Sequence, residues 1–254
     1  MNPKTTLSSA TILAALCLTA TGQSTYLGNG AAGFGSPVGS GSLVISDTSS
    51  SLTLTFNRGA GNFNDDLVLY LDTQPGGFAD TSTLGDNGDG GRTAISGANT
   101  SNPSQTVETF VPGFGADYAI SIQDSFIGVF QLAAGGNNSL NFLFGQSQSG
   151  NNTDASYSIT MSAAQMAQIG LIAGSGQTFD FDGTLISTSA YRSNETIGNS
   201  ITVPGDGSGN AGFNNPQNFT QSLAYTLVAV PEPSSLALFG MSGLASLYLL
   251  RRRR

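Results

Sequence analysis

Short apolar runs alternate with turns rich in Gly, Ser and Asn over most of the chain. Leu52-Thr53-Leu54-Thr55-Phe56 and Tyr157-Ser158-Ile159-Thr160-Met161 alternate apolar with polar, the period-two pattern of strands with one buried face. Leu67-Val68-Leu69-Tyr70-Leu71 is continuously apolar, which suits a central strand buried on both faces. Further strands are predicted over residues 43–45, 93–95, 107–110, 118–122, 127–132, 140–144, 179–186 and 223–228. Between them stand strong breakers: Pro75-Gly76-Gly77, Asn87-Gly88, Asp89-Gly90-Gly91, Gly135-Gly136-Asn137-Asn138 and Gly150-Asn151-Asn152. One short helix is predicted over 162–169, where Ser162 is a capping residue and no breaker comes before Gly170. Many short strands with such turns predict an all-β fold, a two-sheet β-sandwich or jelly roll with one short helix.

The ends follow a different pattern. Lys4 precedes an apolar run over residues 10–18, and small residues follow at Thr19-Ala20-Thr21-Gly22. That is the order of a secretory signal peptide, with cleavage after Ala20 or Gly22. It implies the Sec translocon and signal peptidase as partners. At the other end, Pro231-Glu232-Pro233 precedes the uncharged stretch 234–250, and Arg251, Arg252, Arg253 and Arg254 close the chain. The stretch is just long enough for a transmembrane helix. The arginines orient it with their end in the cytoplasm and the preceding domain outside. The two prolines hold the segment before it extended, as a processing enzyme requires. The expected organisation is a signal peptide (1–22), a Gly-rich N-terminal extension (23–41), a β-sandwich ectodomain (42–228) and a C-terminal signal (229–254).

Composition narrows the chemistry. The 254 residues contain 34 Gly, one Cys, and neither His nor Trp. Cys17 lies in the export signal, so the mature domain has no thiol, disulfide or cysteine metal site. Serine-histidine and cysteine catalysis are excluded with them. Between the two ends, fifteen acids face Arg58, Arg92 and Arg192, a net charge of −12. A nucleic-acid partner would be repelled; the charge favours solubility.

The C-terminal Pro231-Glu232-Pro233, apolar stretch and terminal arginines together resemble the PEP-CTERM sorting signal. The resemblance implies an exosortase as partner, a membrane-embedded transpeptidase that processes the tail near the Pro-Glu-Pro segment. It also implies a Gram-negative bacterium that makes exopolysaccharide, and a transient inner-membrane anchor. Delivery to the cell envelope, outer surface or extracellular matrix would follow. In the middle, Asn64-Asp65-Asp66-Leu67-Val68-Leu69-Tyr70-Leu71-Asp72, residues 157–171 and Phe179-Asp180-Phe181 resemble pieces of DOMON and family 9 carbohydrate-binding modules. Sugar sites in such modules stack a pyranose on Trp, and their haem-binding versions use His. This chain has neither, so the resemblance bears on fold rather than site.

Candidate chemistry is sparse. Asp86-Asn87-Gly88-Asp89-Gly90 packs carboxylates, an amide and glycines as calcium loops do, which makes calcium the one cofactor to consider. Its spacing is not that of an EF-hand, and a tight turn is the simpler reading. Asp65, Asp66, Asp72, Asp180 and Asp182 are further oxygen donors. Asp180 and Asp182 alternate on one strand, so both should face one side, solvated, paired or metal-bound. Glu108, Asp117 and Asp124 are the acids a glycan hydrolase would draw on, though nothing selects a pair. Tyr70, Tyr118, Tyr157, Tyr191 and Tyr225 lie in or near apolar strands and read mainly as core. Tyr191 and Arg192 form the most polar aromatic cluster, a candidate ligand site or a structural ion pair. No catalytic residue is assigned. The expected role is a non-catalytic structural or adhesive envelope protein associated with exopolysaccharide. A calcium-stabilised carbohydrate-binding module is the alternative, and a glycan hydrolase stands behind both.

Overall fold

The structure is a computed structural model that describes residues 21–99, 105–198, 201–202, 209–213 and 215–230. The predicted signal helix, the transmembrane helix, Pro231-Glu232-Pro233 and the terminal arginines lie outside these residues. Among the described residues no helix is long and apolar enough to cross a membrane.

Two antiparallel sheets pack face to face, as the alternating pattern predicts. The smaller sheet runs β1 (Thr21–Leu27), β2 (Ser42–Thr48), β3 (Ser51–Asn57) and then β9 (Ser156–Ser162). Leu52, Leu54 and Phe56 of β3 point inward, with Tyr157, Ile159 and Met161 of β9 paired beside them. The larger sheet is built on β4 (Asp66–Asp72), β6 (Tyr118–Ile122), β7 (Phe126–Gln131) and β8 (Asn141–Ser147). On the other side of β4 lies β10 (Thr178–Ile186), whose far edge is shared by β14 (Leu223–Thr226) and β11 (Arg192–Ile197).

The continuous apolar run of β4 has the predicted cause. Leu67, Leu69 and Leu71 enter the core between the sheets, while Val68 and Tyr70 enter a second core on the sheet's outer face. A cap of Phe110, Phe114 and Phe219, with the helix α1 (Gly90–Ser96), covers that face. Next to it sits a small sheet of β5 (Glu108–Thr109), β12 (Ile201–Thr202) and β13 (Gln217–Phe219). The sandwich therefore carries a third layer on part of one face.

Two expectations are corrected. Residues 93–95 form part of helix α1 rather than a strand. Asp89 caps its N-terminus through the Arg92 amide, and Gly97 ends it in the left-handed conformation at φ 67°. The N-terminal extension belongs to the domain, because β1 pairs with β2 along its full length, from Thr21 opposite Thr48 to Leu27 opposite Ser42. The second helix, α2 (Ala163–Gln168), stands where it was expected. Ser162 and Gln165 close a capping box there.

Candidate functional site

The predicted calcium turn is organised around an arginine. The Asp86 carboxylate is fully buried and accepts from the amides of Gly88 (3.0 Å), Asn138 (2.7 Å) and Leu140 (2.8 Å). Arg92 Nη1 lies 2.7 Å from Asp86 Oδ2, and Arg92 Nε lies 3.1 Å from Asp89 Oδ2. Arg92 also donates to the carbonyl of Leu140. Burial opposes the Asp86 charge, yet the Gly88, Leu140, Arg92 and Asn138 hydrogen bonds together hold its pKa below the usual carboxylate value. The guanidinium thus lies against both carboxylates of the turn. Among the described residues no three acids, His or Cys converge as a metal cluster.

Tyr191 and Arg192 separate. Arg192 is fully buried, with Nη1 2.9 Å from Glu108 Oε2. It also donates to Thr184 Oγ1 (3.3 Å) and the Thr106 carbonyl (3.4 Å). Tyr191 turns the other way, stacking on Phe34 with centroids 5.9 Å apart and meeting Phe213 edge-on at 4.9 Å. The pair is thus an ion-pair anchor beside an aromatic cluster. Glu108, the first hydrolase candidate, is the anchor's buried acid. Burial, opposed by Arg192 and helped by Asp182, pushes its pKa up to about 8. Asp117 is used by the chain itself, accepting from the Thr73 and Gln74 amides. Asp180 and Asp182 do share one side of β10, but only Asp182 is buried, and its Oδ2 has no hydrogen-bond partner among protein atoms. Tyr70, Tyr118, Tyr157 and Tyr225 are core residues, as read.

A cleft of about 470 Å³ that the sequence did not single out lies elsewhere on the larger sheet. Its floor crosses β6 and β7 at Ser121 and Gly128, which are register partners, and Gly128 in turn pairs with Gly145 of β8. Phe126 stands on one side of this row of small residues; Phe130 and Phe142, themselves paired, stand on the other. Phe126 is 38% exposed and Phe142 50%. Their centroids lie 6.2 Å apart, and Phe142 meets Phe130 edge-on at 5.5 Å. Asp89, Arg92, Gln123 and Thr188 supply the polar rim. Arg92 sits 5.2 Å over the Phe130 ring, which fixes that wall. The out-of-phase phenylalanines were the available signal: Ile127 and Val129 fill the core, so Phe126 and Phe130 must face away from it.

At the chain's far end the fold closes tightly. Leu227 donates to the Gln177 carbonyl (2.9 Å), Val228 to Asp47 Oδ2 (2.8 Å) and Val230 to the Gly174 carbonyl (2.8 Å). Residues 229–254, starting inside that clip, match the family model for the PEP-CTERM protein-sorting motif. The chain carries a PEP-CTERM sorting motif. Such a motif implies export, exosortase processing, a transient membrane anchor and then the cell envelope. No curated protein and no solved structure matches this PEP-CTERM chain. The likeness to DOMON and family 9 modules therefore rests on its sequence segments alone.

One further polar centre organises the PEP-CTERM chain's N-terminal segment. Glu195 of β11 is fully buried and accepts four backbone hydrogen bonds. Oε1 takes the amides of Phe34 (2.7 Å) and Ser36 (3.0 Å); Oε2 takes Val38 and Gly39, both at 2.9 Å. The partners are some 160 positions apart in sequence, so no local motif announces them.

Proposed function

We propose that the chain is an exported, non-catalytic structural or adhesive protein of the outer envelope or extracellular matrix, associated with exopolysaccharide and freed from the membrane by an exosortase. The observation that carries this reading is the junction of sandwich and tail. Among the described residues the sandwich's last backbone bond is made at Val230, and Pro231 follows directly in sequence. From Val230 to Leu236, where the run of apolar side chains begins, six residues reach at most about 20 Å. Before processing, the domain is held close to the bilayer. Cutting beyond Val230 frees it whole, because every strand among the described residues lies upstream. A structural or adhesive role fits a domain in which the buried acids Asp86, Glu108 and Glu195 are bound to its own amides and arginines rather than gathered at an open cleft.

The test is expression in a Gram-negative host with and without its exosortase, followed by mass spectrometry of the purified chain and fractionation of cell, envelope and matrix. The expected result is a C-terminus near Pro231–Pro233 and recovery with the polysaccharide-rich fraction only when the enzyme is present. A chain still ending in Arg254 in the exosortase-positive host would overturn the reading. So would hydrolysis of a polysaccharide by the purified protein.

A further inference from the structure

We infer that the cleft lined by Phe126 and Phe142 binds a sugar ring of a neutral polysaccharide; this rests on the exported, exopolysaccharide-associated role proposed above and adds the site and the ligand class. A ring-shaped, uncharged, hydroxyl-edged ligand is the one the cleft's chemistry matches. Three observations support it.

The first is the aromatic platform. Gly145 has no Cβ, and one placed there would collide with the Phe126 ring; a Cβ on Gly128 would come within 2.8 Å of Phe130 and 3.2 Å of Phe126. The glycine pair therefore lets the rings settle onto the sheet across β7 and β8. Covering edge-strand glycines is a structural gain in its own right. It does not account for Phe142, which is paired with Phe130 rather than with a glycine and leaves half its surface in water. Two exposed, adjoining rings lining one cleft are a stacking surface for a flat apolar face.

The second is the rim. Thr188 and Gln123, whose amide gives one hydrogen to Asp66, offer neutral donors and acceptors on the same cleft, and Asp89 adds a largely exposed carboxylate. A sugar ring presents apolar C–H faces and a belt of hydroxyls, so it uses both kinds of surface at once. A purely apolar ligand would leave the rim unpaired, at a cost.

The third is charge. Arg92, the one cation lining the cleft among the described residues, is bound to Asp86, Asp89 and the Leu140 carbonyl. The chain as a whole carries −8. A polyanion would meet an acidic surface with its only local counter-charge already engaged. The volume, about 470 Å³, lies in the range of small-ligand sites.

The test is affinity electrophoresis of the full chain, purified in detergent from exosortase-lacking cells. Gels contain the producing strain's own exopolysaccharide, a panel of neutral polysaccharides (dextran, galactomannan, soluble starch, hydroxyethyl cellulose) or the polyanion alginate. Retardation by at least one neutral polymer is expected, with none by alginate. Each of Phe126→Leu and Phe142→Ala should weaken it about three- to tenfold, the worth of one aromatic contact. Phe142→Tyr should keep it, and Ile172→Ala, exposed outside the cleft, should leave it unchanged. Thermal melts of each variant check that the fold survives. No retardation by any neutral polymer, retardation by alginate alone, or retardation indifferent to the phenylalanine variants would overturn the proposal. Protein-partner capture that the same variants abolish, without polysaccharide binding, would also overturn it. If sorting and matrix recovery stay normal while the gels show nothing, the cleft inference falls and the wider role stands. If the chain is never processed or exported, the wider role falls first.

Discussion

Glu195→Gln tests whether one buried carboxylate ties the N-terminal segment to the sandwich. The change keeps shape and volume but converts one acceptor oxygen into an NH₂ group. Whichever oxygen is replaced, two backbone amides lose their acceptor: Phe34 and Ser36 on one side, or Val38 and Gly39 on the other. The new donor then faces two donors in a site with no exposed surface on Glu195. Each lost bond to a charged acceptor is worth about 1.5–3 kcal/mol, so the pair gives about 3–6 kcal/mol. Domains of this size lose roughly 2–4 °C of Tm per kcal/mol, so the melt should fall by roughly 6–24 °C. A cheaper response is open to the protein: residues 33–39 can peel off, which caps the loss in Tm. Both routes share one signature. Hydrogen exchange at Phe34, Ser36, Val38 and Gly39 must accelerate, while core amides such as Leu69 and Ile120 change less. A variant that melts within about 2 °C of the parent and keeps those four amides protected would refute the assignment of Glu195 as the clamp.

Other expectations follow from buried charge and from the two ends. Burial pushes Asp182 up to about 8, with Asp180 adding to the rise, and pushes Asp66 up to about 8 against the Gln123 hydrogen bond. Both groups hold their protons in the fold and release them when unfolded near the ordinary value of 3.8. Their contribution is therefore full below about pH 4 and lost as pH rises to about 8, so stability should decline across that window. Asp182→Asn should flatten the decline and raise Tm at pH 9; an unchanged slope would count against a buried, protonated Asp182. The N-terminus of the exported chain should read Thr-Gly-Gln, because cleavage after Ala20 keeps all seven residues of β1 paired. A chain starting at Gln23 would show that the first two pairs are dispensable. Inserting six Gly-Ser residues between Val230 and Pro231 should speed tail processing, since the clip to Gly174 ends one residue before the motif. An unchanged rate in pulse-chase would mean the enzyme already has room.

How much of this was legible in the sequence depends on the range of the interaction. Period-two alternation marked β3 and β9, and the unbroken apolar run marked β4, because those patterns report which faces are buried. Ser162 announced α2 for the same local reason. Residues 93–95 misled because Ile95 and Ala94 are buried in the second core, so a strand-like apolar triplet was in fact one side of a short helix. Gly90 and Gly91 in its first turn hid the helix from propensity. β11 gave little apolar signal, since Arg192, Ser193, Glu195 and Thr196 are buried polar residues, and the partners of Arg192 and Glu195 are distant in sequence. Glu108 and Arg192 are 84 positions apart, and the Glu195 amides further still; pairings of that kind exist only after the chain has folded.

The same long-range pairings decide what the surface can do. Three arginines are present among the described residues, and each is engaged within the fold. Arg58 donates to the carbonyls of Thr153, Asp154, Gly59 and Gly61. Arg92 is bound by Asp86 and Asp89, and Arg192 by Glu108. Once the tail with its four arginines is cut away, the domain has no lysine and no uncommitted guanidinium among these residues to seize an anionic surface. Long-range attraction to phosphate or to acidic glycans is thereby closed off. On the proposed matrix role, contact would come from short-range forces, and the exposed phenylalanines beside neutral donors and acceptors are one place where the fold provides them.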